Sequence, residues 1–130
     1  MIINRTEPTI VDACQAKRVD QERVDHARAS LPTVAETNRL AEWFRVMADP
    51  TRTRLLYALL EAGELCVCDL AATVGSAETT VSHALRWLRT SGMVQARRSG
   101  RMMFYSLDDA HVRMLLDLGR EHLRHRGSRP

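Results

Sequence analysis

The chain has 130 residues, 45% of them hydrophobic, and a formal net charge of +3, which suits one globular domain with a modest core. No apolar run is long enough to span a bilayer and the N-terminal stretch lacks the apolar centre of a signal peptide, so neither membrane span nor leader is expected and the cytoplasm is the expected location. Its three cysteines are an odd number for a disulfide framework, and in a reducing compartment such thiols suit metal binding or thiol chemistry.

Residues 1–32 are polar and weakly periodic up to Pro32, and read as a mobile N-terminal arm with a helical stretch near Val19–Ala29. From Val34 the pattern is helical, with Leu40, Phe44 and Met47 at steps of four and three. Asp49-Pro50 ends that run and opens the next helix, Asp49 as N-cap and Pro50 at the first position, where a missing N–H costs nothing. This second helix carries Leu55, Leu56, Leu59 and Leu60 and stops at Gly63. A short helix over Val67–Val74, a Gly75-Ser76 turn and a longer helix from Ala77 to Ser91 give a helix-turn-helix pattern. Val81, Ala84, Leu85 and Leu88 form the apolar stripe of the longer helix, with Trp87 and Leu88 expected at the core or its margin. Thr79, Thr80, Ser82 and His83 lie on its opposite face, as a groove-reading helix needs. Met93–Arg97 and Met102–Leu107 read as two strands of a charged β-hairpin, or wing, around Arg98-Ser99-Gly100-Arg101. A final helix follows Asp108 as its expected N-cap, with Val112, Leu115, Leu116, Leu118 and Leu123 as apolar positions. The expected division is therefore an arm (1–32), a mainly α domain with a small β-hairpin (33–126) and a disordered tail (127–130).

Charge is unevenly spread. Five arginines (86, 89, 97, 98, 101) and no acid fall between Ala84 and Arg101, the footprint of a phosphate-binding surface. No Gly-rich phosphate loop or nucleophile–base pair is evident, so an enzyme is not expected.

Four segments together resemble the ArsR/SmtB family of metal-responsive repressors: Met47–Arg52, Glu64-Leu-Cys-Val-Cys-Asp-Leu-Ala71, Thr80–Leu85, and Arg97–Arg101 followed by Phe104–Leu107. The Cys-Val-Cys form is most similar to the CadC-like branch that senses cadmium, lead and zinc. The resemblance implies a homodimer of winged helix-turn-helix subunits, joined through first and last helices, that leaves double-stranded operator DNA when it binds metal. It also implies that Thr79, Thr80, Ser82 and His83 face base edges. Arg86, Arg97, Arg98 and Arg101 would then hold phosphates or the minor groove.

Cys66 and Cys68 are spaced i, i+2, which inside a helix separates side chains by about 200°; both can face one ion only if Cys66 precedes the helix. Cys14, in the arm, is the expected third thiolate. The family's second arm ligand, four residues later, falls on Arg18, which cannot coordinate. Asp12, Asp69 or water is left for the fourth position, and a three-thiolate site favours Cd²⁺ and Pb²⁺ over Zn²⁺. The alternative is that Cys14 is a surface thiol and the other two are small buried apolar residues. A second site involves Asp109, His111, His122 and His125. His111 and His122 share a face of the last helix but are roughly 16 Å apart along it, so one ion can be shared only between two antiparallel copies. The family's interfacial zinc site matches this set, except that His125 stands where Glu is usual. Rival readings keep the fold but sense zinc at that seam, arsenite, or oxidants and reactive sulfur through the cysteines; a metal-buffering protein with an incidental basic face is a different class.

Overall fold

The computed structural model describes residues 18–127, which fall into two units, one within Met1–Thr37 and one within Asn38–Pro130. In the first, α1 (Gln21–Ser30) is capped by Asp20, whose Oδ1 accepts the Arg23 N–H at 3.2 Å, and none of its residues is buried. The helical stretch expected near Val19–Ala29 is thus observed. Thr33 opens α2 (Val34–Met47), its Oγ1 accepting the Glu36 N–H at 3.1 Å.

In the second unit, the Met47–Arg52 segment turns the chain from α2 into α3 (Pro50–Ala62). Asp49 is the N-cap, its Oδ2 accepting the Arg52 N–H at 3.0 Å, and Pro50 takes the first helical position. Arg52 Nε donates to the Val46 carbonyl at 2.5 Å and Thr53 Oγ1 to that of Met47 at 2.6 Å, so the last carbonyls of α2 find partners in the helix that follows. β1 (Glu64–Cys66), α4 (Val67–Val74), α5 (Glu78–Thr90), β2 (Val94–Ser99), β3 (Met102–Leu107) and α6 (Ala110–Gly127) complete the unit. Gly75, between α4 and α5, adopts φ +69° and ψ 37°, a left-handed conformation that a side chain would disfavour.

The core sits where α3, α4 and α5 meet the sheet and α6. Leu55, Leu56 and Leu59 of α3, Leu70 of α4, and Val81, Leu85 and Leu88 of α5 are all but inaccessible, with Met93, Val94, Leu107, Val112 and Leu116 around them. The apolar stripe expected on the longer helix is therefore the buried one, but Trp87, expected at the core or its margin, is instead exposed (48%), because it lies off that stripe.

Three details differ from expectation. The sheet has three antiparallel strands in the order β1-β3-β2, not two. β1 is only three residues long and its strand character comes from pairing with β3 (Glu64 to Ser106, Leu65 to Tyr105, Cys66 to Phe104), which no local pattern shows. β2 reaches Ser99, so the tip of the wing shrinks to Gly100-Arg101. Asp109, not Asp108, caps α6: its Oδ1 accepts the His111 N–H at 2.9 Å and the Val112 N–H at 3.2 Å. Gly127, expected in the tail, is helical.

Candidate functional site

Cys66 ends β1 and is the N-cap of α4, with extended backbone (φ −85°, ψ 172°). It thus precedes the helix, as the spacing argument required. The two thiols meet different surroundings: Cys66 is 5% exposed, while Cys68, in the first turn of α4, faces solvent. Cys68 Sγ donates to Glu78 Oε2 at 3.4 Å, and Glu78 is the first residue of α5. That hydrogen bond, then the carboxylate's charge, holds the Cys68 thiol above its ordinary value. The segment is tied to the wing as well. Cys66 pairs with Phe104 in β3. Glu64 takes a bidentate ion pair from Arg97 of β2, at 3.0 Å from Nε and 2.8 Å from Nη2. This bond lowers the Glu64 carboxyl below its ordinary range and raises Arg97, and the same guanidinium stacks 5.1 Å from the centre of the Phe104 ring.

Of the other expected donors to the thiolate centre, Cys14 and Asp12 lie outside the described residues, and Asp69 is exposed in the first turn of α4. Among the described residues, no three His, Cys, Asp or Glu side chains lie together closely enough to hold an ion.

The eight residues expected at DNA share one property. Thr79, Thr80, Ser82, His83 and Arg86 on α5, and Arg97, Arg98 and Arg101 on the wing, are all exposed. Arg97 differs from its neighbours because Glu64 engages it. Arg98 lies in the ladder opposite Met103, and Arg101 sits at the hairpin tip beside Gly100, whose φ is +64°.

On α6, two of the second set of expected donors, Asp109 and His111, lie side by side. While Asp109 Oδ1 caps the helix, Oδ2 lies 3.4 Å from His111 Nδ1. Hydrogen bonds, first from the Val112 N–H and then from His111, hold the Asp109 carboxyl below its ordinary value. His122 and His125 are exposed at the far end of the same helix. Apolar residues stand exposed along α2 (Leu40 and Phe44) and α6 (Met114, Leu118 and Leu123).

The sequence profile described as "Bacterial regulatory protein, arsR family" matches residues 49–96, from the cap of α3 through α4, the turn and α5 into the wing. The chain is 37% identical over 108 residues to the cadmium resistance transcriptional regulatory protein CadC homolog of Staphylococcus aureus, spanning 82% of this chain and 87% of that one. The chain belongs to the arsR family. It is also 42% identical over 110 residues to the transcriptional repressor SmtB homolog of Synechocystis, covering 85% and 83% of the two chains. Among solved structures, the homodimeric winged helix-turn-helix DNA-binding domain of a possible ArsR-family regulator from Mycobacterium bovis matches with a TM-score of 0.64 and 27% identity, over 85% of this chain and 95% of that domain. The arsR family is one of regulatory proteins, and the expected winged helix-turn-helix fold is the one described above. Among the described residues, no helix is long and apolar enough to cross a membrane.

Sequence reasoning missed two partners. In the sequence, Glu64 stands out only as part of a motif, and Glu78 not at all. Both are acids beside arginine or cysteine only after folding, across 33 and 10 residues respectively. An acid in the first turn of a helix already has a dipole reason to be there, so nothing in the sequence separated Glu78 from an ordinary helix start.

Proposed function

We propose that this protein is a cytoplasmic, homodimeric transcriptional repressor whose apo form binds operator DNA and leaves it when a thiophilic divalent ion, Cd²⁺ or Pb²⁺ with Zn²⁺ as the alternative, is captured by Cys66, Cys68 and Cys14. The carrying observation is the pair of attachments made by the Cys-Val-Cys segment: one cysteine is paired into the wing sheet, and the other bonds the first residue of α5. Both cysteines stand at the start of α4, and the donor set of soft sulfurs with a nearby carboxylate fits a thiophilic ion. When bound, such an ion replaces the thiol protons and draws its ligands together.

The chain's own residues supply the coupling. For Cys66 and Cys68 to serve one ion, the buried Cys66 thiol has to turn outward at the β1–α4 junction. That junction joins the wing sheet to the helix-turn-helix, so closing the site disturbs the spacing of the two DNA-facing elements. By linkage, DNA weakens ion binding by the same factor, with couplings of roughly 1–3 kcal/mol usual. Thr79, Thr80, Ser82 and His83 then read base edges, while Arg86, Arg98 and Arg101 hold phosphate. The exposed apolar residues of α2 and α6 and the homodimeric relative support a dimer through those helices.

The second reading, zinc sensing at the seam of the dimer, is favoured by one observation: Asp109 and His111 already face each other at 3.4 Å. Two antiparallel copies of α6 would bring them to His122 and His125 of the mate. The test titrates operator binding with Cd²⁺, Pb²⁺ and Zn²⁺ in wild type, Cys66→Ser and His122→Ala. Release that survives Cys66→Ser but is lost in His122→Ala transfers the role to the seam. Normal release of Cys66→Ser by Cd²⁺ or Pb²⁺, or no release of wild type by any of the three metals, sinks the proposal.

A further inference from the structure

We propose that Glu78 is the oxygen ligand of the thiolate centre, sharing with Cys68 one ion that joins the start of α4 to the start of α5. This rests on the thiolate reading above and names the donor for the position that Arg18 cannot fill.

The spacing carries the inference. A tetrahedral zinc ion, with sulfur at about 2.3 Å and carboxylate oxygen at about 2.0–2.2 Å, holds the two donor atoms about 3.5–3.7 Å apart, and a larger soft ion holds them somewhat farther apart. Cys68 Sγ and Glu78 Oε2 stand 3.4 Å apart, so both can turn onto one ion with little movement of either helix. On binding, the thiol proton now shared with the carboxylate leaves to solvent, and the oxygen that accepted it turns to the ion. Both side chains are exposed, so the position is open to entry. Among the described residues, Cys68 is the one group that hydrogen-bonds the Glu78 carboxylate, so no other bond competes.

Asp69, the other described acid near Cys68, is less suited. It follows Cys68 directly in α4, and consecutive helical residues point about 100° apart. Glu78 reaches Cys68 from a different helix, at 3.4 Å. The consequence is specific to the arrangement: a ligand on α5 puts the recognition helix itself in the coordination sphere, so ion capture acts on its N-terminus with no relay.

The test titrates full-length protein with Cd²⁺ in the absence of DNA, following Cd–thiolate absorption and measuring affinity by chelator competition. Wild type, Glu78→Gln, Asp69→Asn and Cys66→Ser are compared. Glu78→Gln should keep the full thiolate band and lose at least the 10–100-fold in affinity that weaker, outer-sphere partners cost. Asp69→Asn removes the same charge beside Cys68 and should cost no more than about fivefold, the most an exposed charge pair is worth. Equal losses in the two variants, or no loss in Glu78→Gln, would overturn the assignment while leaving the thiolate site standing. A wild-type titration without a thiolate band, or an undiminished band in Cys66→Ser, would instead overturn the thiolate reading, and this inference with it.

Discussion

The wing arginines offer a sharp test of how DNA is held, because the structure treats three neighbouring cations differently. Arg97 is held by two hydrogen bonds to Glu64, whereas Arg98 and Arg101 extend from the ladder and the tip. A phosphate contact releases counterions, and the logarithm of the binding constant falls with the logarithm of salt by about 0.9 per neutralised phosphate. If Arg98 and Arg101 hold phosphate as proposed, Arg98→Gln with Arg101→Gln removes four such contacts in a dimer, so the slope should become shallower by about 3.6. Between about 50 and 200 mM salt, wild type should then lose about 150-fold more affinity than the double variant. Arg97→Gln should leave the slope within about 0.5 of wild type, because its charge is already committed to Glu64. Fluorescence anisotropy on a labelled mixed-sequence duplex suffices, since this electrostatic part of binding does not depend on sequence. A slope change in Arg97→Gln as large as in Arg98→Gln would refute the argument, showing that Glu64 surrenders the guanidinium to DNA.

Leu70→Ala opens a cavity under the helix-turn-helix at a fully inaccessible site; urea denaturation should show a loss of about 2–5 kcal/mol. Asp49→Ala removes the cap of α3 and should cost about 1 kcal/mol, whereas Asp49→Asn, itself a good cap, should cost far less; equal losses would show that charge, not capping, matters. The Glu64 carboxyl is held below its ordinary value of 4.5, chiefly by the bond from Arg97. A lowered folded-state value means the ion pair stabilises above the unfolded value and that this contribution is lost as pH falls through the folded one. The urea midpoints of wild type and Glu64→Gln should therefore differ by a constant amount near neutrality and converge in acid below that range; a difference persisting unchanged into strong acid would contradict the pairing.

Much of this fold was legible because it rests on local signals. Asp49-Pro50, Gly63, Gly75 and the leucine spacing of α3 and α5 each act within a turn or two of the chain, and the helices start and stop where those residues require. What escaped depends on partners distant in sequence. A three-residue strand has too few positions to show alternation, and Glu64–Cys66 becomes a strand because β3 offers it hydrogen bonds. The choice between Asp108 and Asp109 as cap was not decidable from composition, since adjacent aspartates satisfy the same rule; geometry selects the one whose oxygen reaches the Val112 N–H. The candidate site was legible as chemistry, cysteines and histidines in spacings that suit metals, but not as environment. Burial of Cys66, exposure of Cys68 and the approach of Glu78 follow from packing across helices.

The division of labour within one carboxylate at the head of α6 allows two properties to be separated genetically. Oδ1 of Asp109 serves the helix and Oδ2 faces His111, so a metal approaching Oδ2 need not unfasten the cap. Asparagine can reproduce the first role and supplies only a neutral, weaker donor for the second. Asp109→Asn should therefore keep the melting temperature near wild type while weakening zinc at the proposed seam site. Asp109→Ala should lower both, and any seam-dependent phenotype shared by the two variants can be assigned to coordination and not to a frayed helix.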